Sequence, residues 1–398
     1  MKITIVTGFF LPVPPVRGGS TEKIWFRLAR EFVAAGHNVT FVSRQWPGFP
    51  DREQLDGVHH LRVRGADHAK TLAANLWHDL WWGVRVSRAL PPADVVICNT
   101  VTLPAWLKRR KPAAGKVVAV IARTPKGHGR AYGNVDLLLS LSSAVSEALA
   151  RERPELSGRI AAFPYPIDWQ RHANARQQAR DTSAPLTIGY VGRIHPEKGI
   201  QLLLAAAVEL GRRTDLPAWR LEFVGPWTVP EGGGGDAYRN ALQRDFGAQL
   251  GTRVSFRGPE FDPERLAGLY AGMDVFCYPS VSEKGETFGV AVAEAMAAGC
   301  TPVVSDLACF RELVRDGETG VVFEHQAADA PSRLAAALAR VLGDPPWRAQ
   351  IAERAQAHAK RYDYAVSAQT VLGHLQRLIG RSTMLSRIEA ERNRDERE

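Results

Sequence analysis

Along the first half of the chain, short runs of branched apolar residues alternate with longer stretches whose apolar positions recur at helical spacing. "KITIVTG", "VTFVS", "DVVIC", "KVVAVI" and "DLLLSLS" read as buried strands, and residues 20–36, 70–89 and "AVSEALARE" as helices. Such alternation predicts β-α units and a mostly parallel sheet covered by helices on both faces. The pattern stops in a Pro-bounded polar connection near residues 164–185. It restarts with "LTIGYVG", a helix from about residue 199, then "RLEFVG", "RVSFRG", "DVFCYPS", "TPVVS" and "GVVF".

The expected fold class is therefore α/β, with two Rossmann-like doubly wound domains facing a central cleft. The boundaries are 1–165, a linker at 166–185, a second domain at 186–362, and 363–398 as a C-terminal helix that can return to the first domain, ending in a charged, frayed tail. "VPEGGGGDAY" reads as a flexible surface loop that binds nothing, because successive glycines maximise backbone freedom.

Composition narrows the classes. The 398 residues are 45% hydrophobic and 23% charged, and no uninterrupted apolar run reaches the roughly 18 residues of a membrane span. The opening "MKITIVTGFF" runs straight into "LPVPPVRGG" and reads as a first strand, not a signal peptide, so a cytoplasmic location is expected. Cys98, Cys277, Cys300 and Cys309 form no C-x-x-C pair and read as reduced core residues. A formal charge of +9 favours an anionic partner, namely a nucleotide, a phospholipid surface or a nucleic acid. No nucleic-acid reader motif accompanies the charge, so nucleic acid is the least favoured.

Three stretches carry candidate chemistry. In "GYVGRIHPEKGI", Arg193 and Lys198 stand between a strand's carboxyl end and a helix start, where free N–H groups favour an anion such as a diphosphate. In "LPVPPVRGGSTEKIWF", Gly18 and Gly19 lead directly onto a helix and let a phosphate or sugar approach the main chain. In "SEKGETFGVAVAEAMAAG", Glu286 and Glu294 lie eight residues apart, about 12 Å if both are helical. That is too far for a shared proton, and a hydrolytic acid/base pair is disfavoured. The pair suits two ends of one extended ligand, with the N–H groups of Thr287, Phe288 and Gly289 toward phosphates between them; two solvated glutamates are the alternative. No D-x-D occurs, so no divalent metal and no cofactor is expected.

"GRIHPEKG", then "YPSVSEKGETFGVAVAEAMAAGCTPVVSD" and "ELVRDGETGVVF", resemble the donor half of the family 4 retaining glycosyltransferases (group 1, GT-B fold), and "VRGGSTEKIWFRLAREFVAAGHNVTFVS" resembles their amino-terminal loop, helix and strand. The resemblance implies that Arg193 and Lys198 hold the diphosphate of a UDP- or GDP-hexose, that Glu286 meets the transferred sugar, and that Glu294 meets the ribose. It implies that the backbone from Thr287 to Val290 approaches sugar and phosphate, and that Gly18 and Gly19 close the site from the acceptor domain. A histidine that family members carry after the strand matching "KVVAVI" is replaced here by Arg123 or Thr124, with His128 a few residues on. Glu283 offers a second choice for the first carboxylate, and the spacing selects Glu286.

The implied activity is transfer of a hexose, with retention, to a hydroxyl of a cell-surface glycan, a lipid-linked molecule or another glycoconjugate. Trp77, Trp81, Trp82 and Trp106 lie near Arg85, Arg88, Lys108, Arg109, Arg110 and Lys111, which suits an anionic membrane surface at the inner face of the plasma membrane; core packing is the alternative. Two other functions stay open, a same-fold sugar-nucleotide epimerase and a catalytically idle sugar- or nucleotide-binding protein, whereas a phosphorylase would need a cofactor lysine in a setting that the sequence does not show.

Overall fold

β1 (Lys2–Val6) is apolar on both faces, with Ile3, Ile5 and Val6 buried, as a strand between two helical layers must be. It is followed by α1 (Ser20–Ala34), β2 (Asn38–Arg44), β3 (Arg52–Leu55), β4 (Val58–Val63), α2 (Leu72–Ala89), β5 (Val95–Cys98), α3 (Leu103–Arg110), β6 (Lys116–Ile121), β7 (Leu137–Ser140), α4 (Ser143–Glu152) and β8 (Ile160–Ala162). The sheet runs β3-β4-β2-β1-β5-β6-β7-β8, parallel except where β3 pairs with β4. Chain order reverses at β1, with β2 on one side and β5 on the other, so the crevice of this sheet opens beyond the carboxyl end of β1.

A second set of elements builds a second sheet. These are α5 (Trp169–Arg176), β9 (Leu186–Val191), α6 (Ile200–Gly211), β10 (Trp219–Val224), α7 (Gly235–Leu250), β11 (Val254–Arg257), α8 (Pro263–Ala271), β12 (Val275–Tyr278), α9 (Val290–Ala297), β13 (Thr301–Ser305), β14 (Val321–Phe323), α10 (Ala330–Gly343) and α11 (Pro345–Ala359), after which comes α12 (Tyr364–Asp395). The order β11-β10-β9-β12-β13-β14 is parallel, and its switch point lies between β9 and β12. Both sheets are thus doubly wound, as expected.

This computed structural model describes residues 1–17, 19–123, 127, 129, 132–176 and 184–395, with side chains as far as residue 380. By internal packing the chain divides into Met1–Tyr165 with Tyr364–Glu398, and Pro166–Asp363. In the first unit α12 packs on α1, where Arg27 stacks over the Tyr364 ring at 4.7 Å. Among the described residues no helix is long and apolar enough to cross a membrane. All four cysteines are buried and none is in a disulfide.

Three local expectations are corrected. The 166–185 connection contains α5, which packs on α8 and α9 because His172 and Ala173 are buried on one helical face. The terminal segment is helical to Asp395, in keeping with its Arg, Glu and Ala, which are good helix formers. The glycine run is pinned rather than free: Gly234 N donates to Ile194 O at 2.8 Å and Gly235 N to Trp227 O at 2.7 Å, while Gly233 has the Trp227 main chain where a Cβ would stand. Close approach of backbone to backbone, not mobility, requires glycine there.

Burial of His60 adds a pH dependence to the first unit. Both its ring nitrogens are buried without a hydrogen-bond partner between Phe41 and Phe26, and burial, reinforced by the Arg62 charge, pushes its pKa down from 6.5 to about 4. The unfolded chain takes up that proton first on acidification, so stability present above about pH 6.5 is lost as the pH falls toward about 4. His60→Phe is expected to remove up to about 3 kcal/mol of this loss, read as a flatter dependence of the urea midpoint on pH over that interval.

Candidate functional site

In the second unit, the two strands at the switch point deliver the predicted residues to one place. Beyond β9 the chain makes a short 3-10 turn, Pro196–Lys198, ended by Gly199 with φ 69°. A Cβ on Gly199 would strike the Pro279 carbonyl, so glycine is what lets the loops leaving β9 and β12 touch. Val281 N donates to Glu197 O at 3.0 Å and locks that contact. Lys198 and Glu286, 88 positions apart, meet as a buried ion pair through Lys198 Nζ and Glu286 Oε1.

The hydrogen bonding of Glu286 is one-sided. Tyr278 Oη donates to Oε1 at 3.2 Å and Ser280 Oγ donates to it at 3.0 Å, alongside Lys198 Nζ. Burial, then the Glu286 charge, holds the Tyr278 hydroxyl well above its ordinary pKa, so it remains a donor. Among the described residues Oε2 accepts no hydrogen bond. Glu283 points elsewhere, accepting from Gln326 Nε2 at 2.7 Å and lying 3.3 Å from His325 Nε2. The carboxylate beside Lys198 is therefore Glu286.

Arg193 follows Gly192 at the end of β9. Its Nη1 donates to Gly232 O at 2.7 Å and its Nη2 to Glu197 Oε1 at 2.6 Å, which holds the guanidinium in one orientation with the side chain 42% exposed. The glycine run expected to bind nothing is one of its two anchors.

The helix after Glu286 is shorter than expected. α9 starts only at Val290, with Gly289 as N-cap at φ 98° and ψ 58°, so Glu286 precedes the helix and the 12 Å helical spacing does not apply. Phe288 breaks the run, turning inward against Tyr362 at 5.1 Å. The N–H groups of Thr287, Phe288, Gly289 and Val290 take part in no hydrogen bond among the described residues. Consecutive unpaired donors at a helix start form an anion-binding surface. Glu294 lies on α9, where it accepts from Tyr270 Oη at 3.0 Å through Oε2.

In the first unit, Gly19 caps α1 at φ 91°, and a Cβ there would collide with Leu11 and Glu22. Burial raises the pKa of Glu22. Arg123 is exposed just beyond β6, and Glu152 accepts from Gly127 N at 3.0 Å and Gly129 N at 2.7 Å. Gly18, Thr124 and His128 lie outside the described residues.

The four tryptophans separate into two classes. Trp82 is buried, its Nε1 donating to Thr7 O at 3.0 Å, so it cannot enter an interface, and Trp106 is half-buried with its ring packed against Gly83. Trp77 and Trp81 are exposed on α2 together with Leu72, Leu76 and Leu80, and they border a cavity of about 460 Å³ also lined by Phe9, Arg64, His78 and Arg85. Of the basic residues expected there, Lys108 is paired with Asp136 at 2.7 Å and Lys111 donates to Ser87 O at 3.0 Å.

Tyr278 and Ser280, which end the stretch "DVFCYPS", also belong to the candidate site, a role not expected from the sequence. A tyrosine and a serine closing the otherwise apolar "DVFCYPS" were the available signal, since polar groups at a parallel strand's carboxyl end face the crevice. His172, Glu197 and Tyr270 carried no such signal.

Residues 172–358 match the sequence profile of the family described as Glycosyl transferases group 1. A D-inositol 3-phosphate glycosyltransferase of Nocardia farcinica is 33% identical over 267 residues, 62% of this chain and 55%, about half, of that protein. A phosphatidyl-myo-inositol mannosyltransferase of Mycolicibacterium smegmatis is 30% identical over 428 residues, 100% of this chain and 98% of that protein. Sucrose-phosphate synthase of Thermosynechococcus elongatus has a similar structure, with a TM-score of 0.75 at 22% identity over 96% of this chain and 99% of that one. Anabaena HepE in complex with UDP and glucose gives a TM-score of 0.68 at 18% identity over 94% and 99%. The shared fold is GT-B, and with the full-length match and the family profile it shows that the chain belongs to the group 1 glycosyltransferases.

Proposed function

We propose that the protein transfers a hexose from a nucleotide-sugar, with retention of anomeric configuration, to a hydroxyl of a lipid-linked or glycan acceptor. The observation that carries this is the one-sided holding of Glu286: Oε1 is fixed by Lys198, Tyr278 and Ser280, and Oε2 is left for a sugar hydroxyl. The unpaired N–H groups of residues 287–290 and the oriented Arg193 guanidinium supply the positive partners that a departing diphosphate needs. In the proposed reaction the bond from the anomeric carbon to the phosphate oxygen breaks as the acceptor oxygen attacks from the same face. The acceptor's proton passes to the departing phosphate oxygen.

Two relatives are named for inositol phosphate and phosphatidyl-myo-inositol. Phosphorylated polyols, free or lipid-linked, are accordingly the first acceptors to test. UDP- and GDP-hexoses should be screened for nucleoside diphosphate release with and without them. Release is expected to depend on one donor and one acceptor, and the product should keep the donor's anomeric configuration by NMR. An inverted product would exclude the proposed mechanism, and no release with any pairing would favour an idle binding protein.

The exposed Leu72, Leu76, Trp77, Leu80 and Trp81 with Arg64 and Arg85 support attachment to an anionic membrane face. Flotation with vesicles containing anionic lipid is expected to carry the protein upward, and Trp77→Ala with Trp81→Ala to reduce the bound fraction several-fold. Equal flotation with purely zwitterionic vesicles would contradict the electrostatic part.

A further inference from the structure

Both cations of the candidate site are paired with a glutamate, Lys198 with Glu286 and Arg193 with Glu197. The first pair is buried, whereas the side chains of Arg193 and Glu197 are 42% and 34% exposed. An i,i+4 pair so open to solvent adds little to stability, so its effect lies in which conformer of the arginine it selects. The guanidinium is gripped at two corners: Nη2 donates to Glu197 Oε1 at 2.6 Å and Nη1 to Gly232 O at 2.7 Å. The second corner requires glycine, since Gly232 has φ 84° and a Cβ there would stand 3.0 Å from Arg193 Cδ. Glu197 is fixed in turn through its own main chain. Its N–H donates to His195 Nδ1 at 3.3 Å, and its carbonyl accepts at 3.0 Å from the N–H of Val281, on the loop that leads to Glu286. The orientation of Arg193 is thereby referred to the segment that carries Glu286.

We propose that Glu197 is a positioning residue for Arg193, and that its charge at the same time weakens the site's hold on a nucleoside diphosphate. This rests on the reading of Arg193 as a partner of the departing diphosphate. A long, flexible arginine stabilises developing charge best when its N–H groups already point at the phosphate, because the cost of ordering it then does not fall on the reaction. Glu197 and Gly232 engage one N–H on each terminal nitrogen, and the other N–H groups of the fork stay for phosphate oxygens. A phosphate held by them sits only a guanidinium away from the Glu197 carboxylate, close enough for like charges to repel. The oxygen of Glu197 therefore favours the bond-breaking step, and its charge favours loss of the nucleotide product. Glutamine in its place separates the two effects, since the amide oxygen still accepts from Nη2 while the charge is gone.

The test combines nucleoside diphosphate release, with the donor and acceptor that support turnover, and calorimetric binding of uridine and guanosine diphosphate to the full chain. The variants are Glu197→Ala, Glu197→Gln, Arg193→Ala and the double variant Arg193→Ala with Glu197→Ala. Glu197→Ala is expected to lower kcat about tenfold with donor KM changed by less than about twofold, because lost orientation and lost repulsion offset each other in binding. Glu197→Gln is expected to restore kcat to within about threefold of the wild type, and to bind the diphosphate about three- to tenfold more tightly at low salt, a gain that shrinks as salt is added. With Arg193 already replaced, Glu197→Ala should cost nothing further, since a carboxylate that acts through the arginine has nothing left to position. Additive losses in the double variant, or a Glu197→Gln variant as slow as Glu197→Ala, would overturn the positioning role and leave Glu197 a structural residue of its turn. Unchanged or weaker diphosphate binding by Glu197→Gln would remove the charge effect. Undiminished turnover in Arg193→Ala would instead refute the reading of Arg193 on which the proposal rests.

Discussion

Lys198→Met is expected to lower turnover about a thousandfold and to destabilise the second unit by about 3 kcal/mol, because it removes one partner of a buried ion pair and, in the proposed function, one cation that faces the departing diphosphate. Lys198 and Glu286 each expose only 9% of their side chains, so the surviving carboxylate would be charged, buried and without its cation. Pairing the substitution with Glu286→Gln separates the two effects. The amide oxygen can still accept from Tyr278 and Ser280, and no uncompensated charge remains, so most of the lost stability should return while turnover stays at the level of the single variant. Urea unfolding together with nucleoside diphosphate release measures both quantities. A double variant no more stable than Lys198→Met would show that the cation's packing, not its pairing, holds the loop.

For Arg193→Ala the two readouts should part the other way. Turnover is expected to fall about a hundredfold, with stability changed by less than about 1 kcal/mol, since the guanidinium is substantially exposed and its pair with Glu197 is an i,i+4 surface contact. The loss should appear in kcat as well as in kcat/KM if the guanidinium stabilises charge that develops on the departing phosphate. Arg193→Lys should recover little. An ammonium cannot donate in the same plane to Gly232 O and Glu197 Oε1 and still present a further N–H to a phosphate. A loss confined to donor KM would move Arg193 from transition-state stabilisation to ground-state binding.

These expectations concern a site whose parts were legible to different degrees. Arg193, Lys198 and Glu286 could be chosen from the sequence because basic residues between a strand end and a helix start, and a carboxylate beyond another strand, are local signals. What each one touches was not local. Glu283 and Glu286 are three residues apart on one loop, yet one turns to Gln326 and the other to Lys198. The choice between them depends on the loops leaving β9 and β12 being packed together, a contact between distant segments. "VPEGGGGDAY" misled for the same reason: glycine freedom is visible in a sequence, whereas the Arg193 guanidinium that uses a glycine carbonyl is not. The tryptophans show it again, since Trp81 and Trp82 are neighbours in sequence and face solvent and core respectively.

By itself, the order of amino acids determined the alternation of strands and helices, the two doubly wound sheets, and the strand ends at which the candidate residues lie. Period-2 and period-3.6 patterns and turn residues act within a few positions of one another. Tertiary structure decided which carboxylate faces the lysine, where α9 begins, and that α5 stands behind Glu294 rather than linking two domains. Those outcomes are set by side chains from segments up to about ninety residues apart competing for the same buried space, and only the packed chain resolves that competition.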